Sequence, residues 1–318
     1  MGLTLTTASH AVCSFADSYA CVNLCPLIRG VRVGDVMGAR GWFSGRKSFK
    51  QGLALAEQQR LDEARDAYLR AAESGSVNAQ YNLALVYIDL GDRRSGILWF
   101  RKAAAAGDAG AMHSLAVQLD DGNRKEADEA LDWYRKAAAL GHAPSQYNLG
   151  LRYQKTGELP LAERYFEQAA KQGHLDADVS LAGLLLGRGR TGEAEKILRR
   201  AAEQEHPGAL GFLGDLAGQA GDTKRAAGLY VRAHAAGFSG AAVNLGVMYE
   251  KQQRLAEAEE WFRKAADAGN PAGMYGLGRL LVGLDRMDEA LVLFRQAAGL
   301  GSESARHALR VLADREKK

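Results

Sequence analysis

The sequence has little proline, five residues in 318, and only three cysteines, the last of them at Cys25. Scarce proline leaves long stretches of chain able to be helical. Cysteines confined to one end are expected to be free thiols in a loosely packed tail. No run approaches the ~18 uninterrupted apolar residues of a membrane-crossing helix. No charge of one sign dominates: a net charge of +3 neither demands a nucleic-acid partner nor excludes one. The start lacks the basic stretch of a secretory signal, since the first charged side chain is Asp17 and the first basic one Arg29. A cytoplasmic protein is expected. Glycine is abundant, at 37 residues, which suggests many helix ends or close helix crossings.

The cysteines and His10 spell H-x2-C-x7-C-x3-C through Cys13, Cys21 and Cys25. The paired C-x2-C spacing of a zinc site is missing, so no metal is expected there. The opening Met1-Gly2-Leu3-Thr4-Leu5-Thr6 fits the short N-myristoylation pattern, with no second feature pointing to a lipid anchor.

The body of the chain repeats itself. WFRKAA runs from Trp99 to Ala104 and again from Trp261 to Ala266, 162 positions on; WYRKAA begins at Trp133. Aligned on these blocks, an aromatic or leucine recurs at Tyr68, Phe100, Tyr134, Phe166, Leu198, Tyr230, Phe262 and Phe294. The residue three further on is always alanine, from Ala71 to Ala297. A closing glycine follows in every repeat but one, where Glu205 takes its place. The step is about 32 residues throughout, with a single lengthened turn around Asp120-Asp121-Gly122-Asn123.

A second block precedes each of these: AQYNLALVY from Ala79, SQYNLGLRY from Ser145, AAVNLGVMY from Ala241. Its leucine recurs from Leu83 to Leu309, followed by a small residue such as Ala84, Gly150 or Gly246. Spacings of one, three and four put these side chains on one helical face. Each repeat therefore reads as two amphipathic helices, A then B, in which the small residues let backbones approach. Pro144, Pro207 and Pro271 fall in the first turns of A helices and Pro160 in that of a B helix, where a missing N–H costs least.

One such pair cannot bury its own apolar faces, but a stack of them can. The expected fold is all-α: eight A–B pairs over 46–301, then a C-terminal capping helix and tail over 302–318. That last helix carries Arg310 at the small position and ends in a polar tail, as a terminal cap requires. Residues 1–45 are expected to be poorly structured, and Met37 is a possible alternative start.

The Leu-Gly…Tyr block, the Ala…Phe…Ala-Ala block and the closing Gly-His or Gly-Asp resemble Sel1-like repeats, close relatives of tetratricopeptide repeats. The resemblance covers about four fifths of the chain, with repeats slightly shorter than usual in either group. It implies a right-handed α-solenoid scaffold that binds proteins or peptides and needs no cofactor.

Several motifs could carry other chemistry. Gly187-Arg188-Gly189-Arg190-Thr191-Gly192 matches a dinucleotide fingerprint, but a helix rather than a strand precedes it, so a repeat turn is expected. His142, His174 and His206 occupy one register in successive repeats and are expected in loops, too far apart to share a metal. Asp120-Asp121-Gly122 lacks the alternating spacing of a calcium loop. Arg101-Lys102, Arg135-Lys136, Arg199-Arg200 and Arg263-Lys264 form a basic ladder on the B helices, a possible nucleic-acid track broken at Glu167-Gln168. The ladder also suits helix C-termini and the i,i+4 pairs Asp132–Lys136 and Glu260–Lys264. No nucleophile, base and acid stand out together, and no catalytic activity is expected.

In the repeats this sequence resembles, the A helices line the concave face. The resemblance then assigns partner contact to positions two before the leucine and two and five after it. These include Tyr81, Leu85, Ile88, His113, Val117, Tyr147, Leu151, Gln154, Tyr275 and Arg279. Most equivalents of the Lys/Asn/Arg clamp that some tetratricopeptide grooves use for a carboxylate terminus are apolar here, so that mode is not expected. The reading is a non-catalytic scaffold for a protein or peptide, with nucleic-acid binding and a nucleotide site at 187–192 as the alternatives.

Overall fold

The computed structural model describes residues 36–120 and 124–316. Among them are seventeen helices and no strands. The first four are α1 (Val36–Glu57), α2 (Leu61–Glu73), α3 (Val77–Asp89) and α4 (Arg93–Ala105). Next come α5 (Ala109–Asp120), α6 (Arg124–Ala139), α7 (Ala143–Thr156), α8 (Leu159–Ala170) and α9 (Leu175–Gly187). Then follow α10 (Thr191–Glu203), α11 (Pro207–Gln219), α12 (Thr223–Ala235) and α13 (Ser239–Lys251). The last are α14 (Leu255–Asp267), α15 (Pro271–Gly283), α16 (Met287–Gly299) and α17 (Glu303–Glu316).

Odd-numbered helices are the A helices and even-numbered ones the B helices of an all-α solenoid. The expected poorly structured segment 1–45 is helical over its last ten residues, because α1 begins at Val36. His10, the three cysteines, the myristoylation pattern and residues 121–123 of the lengthened turn lie outside the described residues.

Tertiary contacts divide the chain between Leu83 and Ala84 into two compact parts. In the first, α1 packs on α2. In the second, each helix from α4 onward packs mainly on its sequence neighbours, while successive A helices also touch at α9–α11 and α13–α15. The cores are built from the repeated residues. The B-helix alanines Ala103, Ala137, Ala169, Ala201, Ala233, Ala265 and Ala297 are all buried. So are the A-helix leucines Leu115, Leu149, Leu213, Leu245 and Leu277.

Where the residue after the leucine is glycine, it makes room for a ring from the partner B helix. A Cβ built on Gly246 would stand 2.6 Å from the Phe262 ring, and one on Gly150 would stand 2.5 Å from Phe166. Gly214 under Tyr230 and Gly278 under Phe294 repeat the arrangement.

The ends of the helices follow from the same register. Asp92 and Asp222 accept hydrogen bonds from the backbone N–H groups of Ser95 and Arg225, each at 3.0 Å, and so cap α4 and α12. Pro144, Pro160, Pro207 and Pro271 occupy the first turns of α7, α8, α11 and α15. Turns close on left-handed residues, mostly glycine, but Gln59, Glu205, Gln253 and Asp285 adopt φ of 55–61° in the same role. Glu205, the one departure from the closing glycine, therefore changes the residue without changing the turn.

Candidate partner-binding face

The A-helix positions fall into two kinds. Tyr81, Leu85, Ile88, His113, Tyr147 and Tyr275 are half-buried, whereas Val117, Leu151, Gln154 and Arg279 are exposed. Tyr81 belongs to the first part of the chain and the other nine to the second. Ile88 lies over the helix–helix approach at Gly96. Arg279 pairs with Glu250 of the preceding A helix, and Arg152 beside Leu151 pairs with Asp120 in the same way. Val117 and Leu151 hold the same register on α5 and α7, with 41% and 40% of their surface in solvent.

The structure joins several of these positions to residues the sequence places in loops. His142, His174 and His206 are the N-cap residues of α7, α9 and α11. Nδ1 of His174 and of His206 accepts from the backbone N–H three residues on, at 3.3 Å each. A ring in this place reaches back onto the preceding A helix. His113 meets the His142 ring at 5.0 Å, and Tyr147 stacks on His174 at 4.6 Å with the planes 26° apart. Phe238, the N-cap residue of α13, lies where a side chain on Gly211 would point. The signal for this row was present in the fixed register of the N-cap position, but nothing in that spacing shows that the rings fold back.

His113 and His142 also share the Ser145 hydroxyl, each with Nδ1 at 3.0 Å from Oγ. One hydroxyl has one proton to give, so at most one imidazole accepts from Oγ and at least one must donate to it. Burial, with His142 and His174 nearby, pushes His113 down to about 4. Burial also lowers His142, against the opposing pull of Asp108. A serine beside two imidazoles has the elements of a nucleophile and base, but Ser145 is fully buried. No substrate carbon can reach its hydroxyl, and its role is to join α5 to α7.

On the B helices the basic ladder is internally paired. Arg101 pairs with Glu129, Arg199 with Glu195, Arg200 with the buried Asp178, and Arg263 with Glu259. Lys102, Lys136 and Lys264 sit over the rings of Trp99, Trp133 and Trp261 at 3.6–3.9 Å. The Glu260–Lys264 pair forms at 2.7 Å, but Asp132 pairs with Arg135 at 3.4 Å instead of the expected Lys136. A phosphate would have to displace these partners.

At 187–192 the chain leaves helix α9 and turns through Gly189 into α10, so the strand a dinucleotide fingerprint requires is replaced by a helix. Arg190 is tied to Glu193 and Glu163 at 2.7 and 2.6 Å. Among the described residues no three His, Cys, Asp or Glu side chains are grouped to hold a metal, and no helix is long and apolar enough to cross a membrane.

Comparison with known proteins agrees with this architecture. The family model for the tetratricopeptide repeat matches residues 49–111, 147–209 and 213–273. The Sel1 repeat model matches 109–142 and 271–302. No curated protein sequence matches. Among solved structures, a Sel1 repeat protein from Oxalobacter formigenes is 25% identical, covers 87% of this chain and 88% of its own, and superposes with a TM-score of 0.64. The protective antigen c5321 of uropathogenic Escherichia coli, described as having an SLR fold, is 23% identical over 90% of this chain and 68% of its own, with a TM-score of 0.67. Yeast Tom70 is 17% identical over 86% of this chain and 64% of its own, with a TM-score of 0.56.

Proposed function

Because the chain belongs to the tetratricopeptide-repeat family and carries Sel1-type repeats, we propose that it is a non-catalytic scaffold whose A-helix face binds a protein or peptide partner. The observation that supports this most is the exposure of Val117 and Leu151 at one register of successive A helices. Each leaves about two fifths of its surface in solvent for a partner to cover, which gives a fraction of the ~1.5–3 kcal/mol of burying a whole aliphatic side chain. Half-buried His113 and Tyr147 flank them on the same helices, and Gln154 and Arg279 supply exposed polar positions on α7 and α15. An extended or amphipathic segment suits such a face, with apolar anchors spaced by one repeat. The B-helix side offers less, since its ladder cations already have carboxylate or ring partners.

The test uses Val117→Glu with Leu151→Glu in the full chain. Both positions are exposed, so the double variant is expected to fold and to melt within a few degrees of the wild type. Affinity capture from the native cell, with and without nuclease, then identifies proteins retained by the wild type. A retained partner is expected to bind the variant at least about tenfold more weakly, the loss of ~1.4 kcal/mol or more. Equal retention by the variant would refute the assignment of this face. A catch that nuclease removes would shift attention to the basic ladder.

A further inference from the structure

Along the starts of the A helices, some N-cap residues carry a ring that reaches back and others, Asn270 and Ser302, do not. Tyr147 and Tyr275 hold the same register, two residues before the repeat leucine. Each packs one side of its ring on the aromatic of its own B helix. Tyr147 meets Phe166 at 5.8 Å and 45°, and Tyr275 meets Phe294 at 5.8 Å and 43°. The two sites differ on the other side. Tyr147 is stacked by His174, the N-cap residue of the next A helix. The residue at that register after Tyr275 is Ser302, whose hydroxyl accepts from the Ala305 N–H at 3.3 Å and carries no ring.

A cleft of about 380 Å³ opens there, lined by Pro271, Tyr275, Leu300, Ser302 and Ser304 among others. Three earlier steps, His113 to His142, Tyr147 to His174 and Gly211 to Phe238, are filled by a ring, whereas Asn270, the N-cap residue of α15, carries none and lines this cleft. Leu300, with 56% of its surface in solvent, forms an apolar wall, and the hydroxyls of Ser302 and Ser304 form a polar edge.

We infer that this cleft is a subsite for an aromatic side chain of a partner peptide, which stacks on Tyr275 as His174 stacks on Tyr147. The inference rests on the reading of the A-helix face as the partner-binding surface, and it names the chemistry of one contact on it. A flat ring fits for two reasons. Offset stacking on Tyr275 adds affinity beyond the area buried, which an aliphatic side chain does not gain. A phenol or imidazole also presents a polar edge that can hydrogen-bond to the serine hydroxyls.

The probes are N-acetyl-tyrosinamide and N-acetyl-histidinamide, with N-acetyl-leucinamide as the aliphatic reference. Binding to the full chain is followed by NMR shifts of the Tyr275 and Leu300 signals. The aromatic amides are expected to bind about fivefold more tightly than the leucine amide. Ser302→His gives the chain its own ring at this step; it is expected to raise the Tm and to abolish probe binding. Ser302→Asn keeps an N-cap like Asn270 without a stacking ring, and is expected to retain binding. Equal binding of all three amides would overturn the inference, as would undiminished binding to a folded Ser302→His variant. The amides report on the cleft alone, whereas the Val117 and Leu151 substitutions report on the face elsewhere, so the two readings fail separately.

Discussion

A single imidazole shows how burial becomes a pH response. His113 packs against the edge of Tyr134 on α6, the ring of His142 and the hydroxyl of Ser145 on α7, with His174 of α9 adding its field. Its folded pKa of about 4 lies below the 6.5 of an unconstrained histidine. Between those values the unfolded chain binds the proton that the folded chain refuses. The stabilising contribution is therefore complete above pH ~6.5 and is lost as pH falls towards ~4, by at most a few kcal/mol. The expected result is a Tm that drops between pH 7.5 and 5, with a clearly shallower drop in His113→Phe. Equal slopes for the two proteins would show that other groups carry the response. At this scale the sequence was only partly informative. His113 could be placed on an A helix by counting from Leu115, and its near neighbours could not. Ser145 and His142 belong to the following repeat, and they meet His113 only because the helix starts fold back onto the preceding one.

For the elements, the helix pairs were legible in the sequence because each repeat spells its own packing rule. A leucine, a small residue beside it and an aromatic on the helix that follows fix which faces meet. α1 was the exception. Its first ten residues have no counterpart in the other repeats, so the repeat pattern does not mark them as helical. The small residue is the most exacting letter of the pattern. At Gly246 a methyl group would enter the Phe262 ring from 2.6 Å, and both residues sit in a filled core. Gly246→Ala gains helix propensity of about 1 kcal/mol, but overpacking of this kind costs about 1–3 kcal/mol. The expected outcome is a net loss of stability in denaturant titration, with a lower midpoint and an unchanged m-value. Substitution at Gly183, where an added Cβ meets nothing within 4 Å, is the matched control and is expected to stabilise. Were Gly246→Ala and Gly183→Ala to shift the midpoint in the same direction, the close-approach argument would fail.

At the scale of the whole molecule, stability is shared among neighbours. α17 covers the last B helix through buried Ala305 and half-buried Leu309 and Leu312, which pack with Phe294, Ala297 and Ala298. It also places exposed Arg310 where other A helices carry the small residue that receives a B helix. A chain ended at Gly301 is expected to lose several degrees of Tm and to associate in light scattering as concentration rises, because the covered face of α16 is bared. A truncated chain that stays monomeric and melts like the full one would mean that α17 has no capping role. The fold was legible at this level through the repeat count, while the site was legible only as a face. Which of its positions are exposed depends on the rings that reach back from the next repeat, a relation between repeats that a single repeat does not spell.

The packing of α4 to α17 mainly on sequence neighbours also sets how this part of the chain bears load. A tether pulling on α17 meets first the contacts of α16, and once these give way it meets those of the helices further in. Tension would travel along the row as a sequence of small yields, not one rupture. Each released repeat would add about 110 Å of extended chain. Relaxed, each pair can re-dock on the neighbour that remains, so this part of the molecule would stretch and recoil like a ratcheted spring, one pair per click.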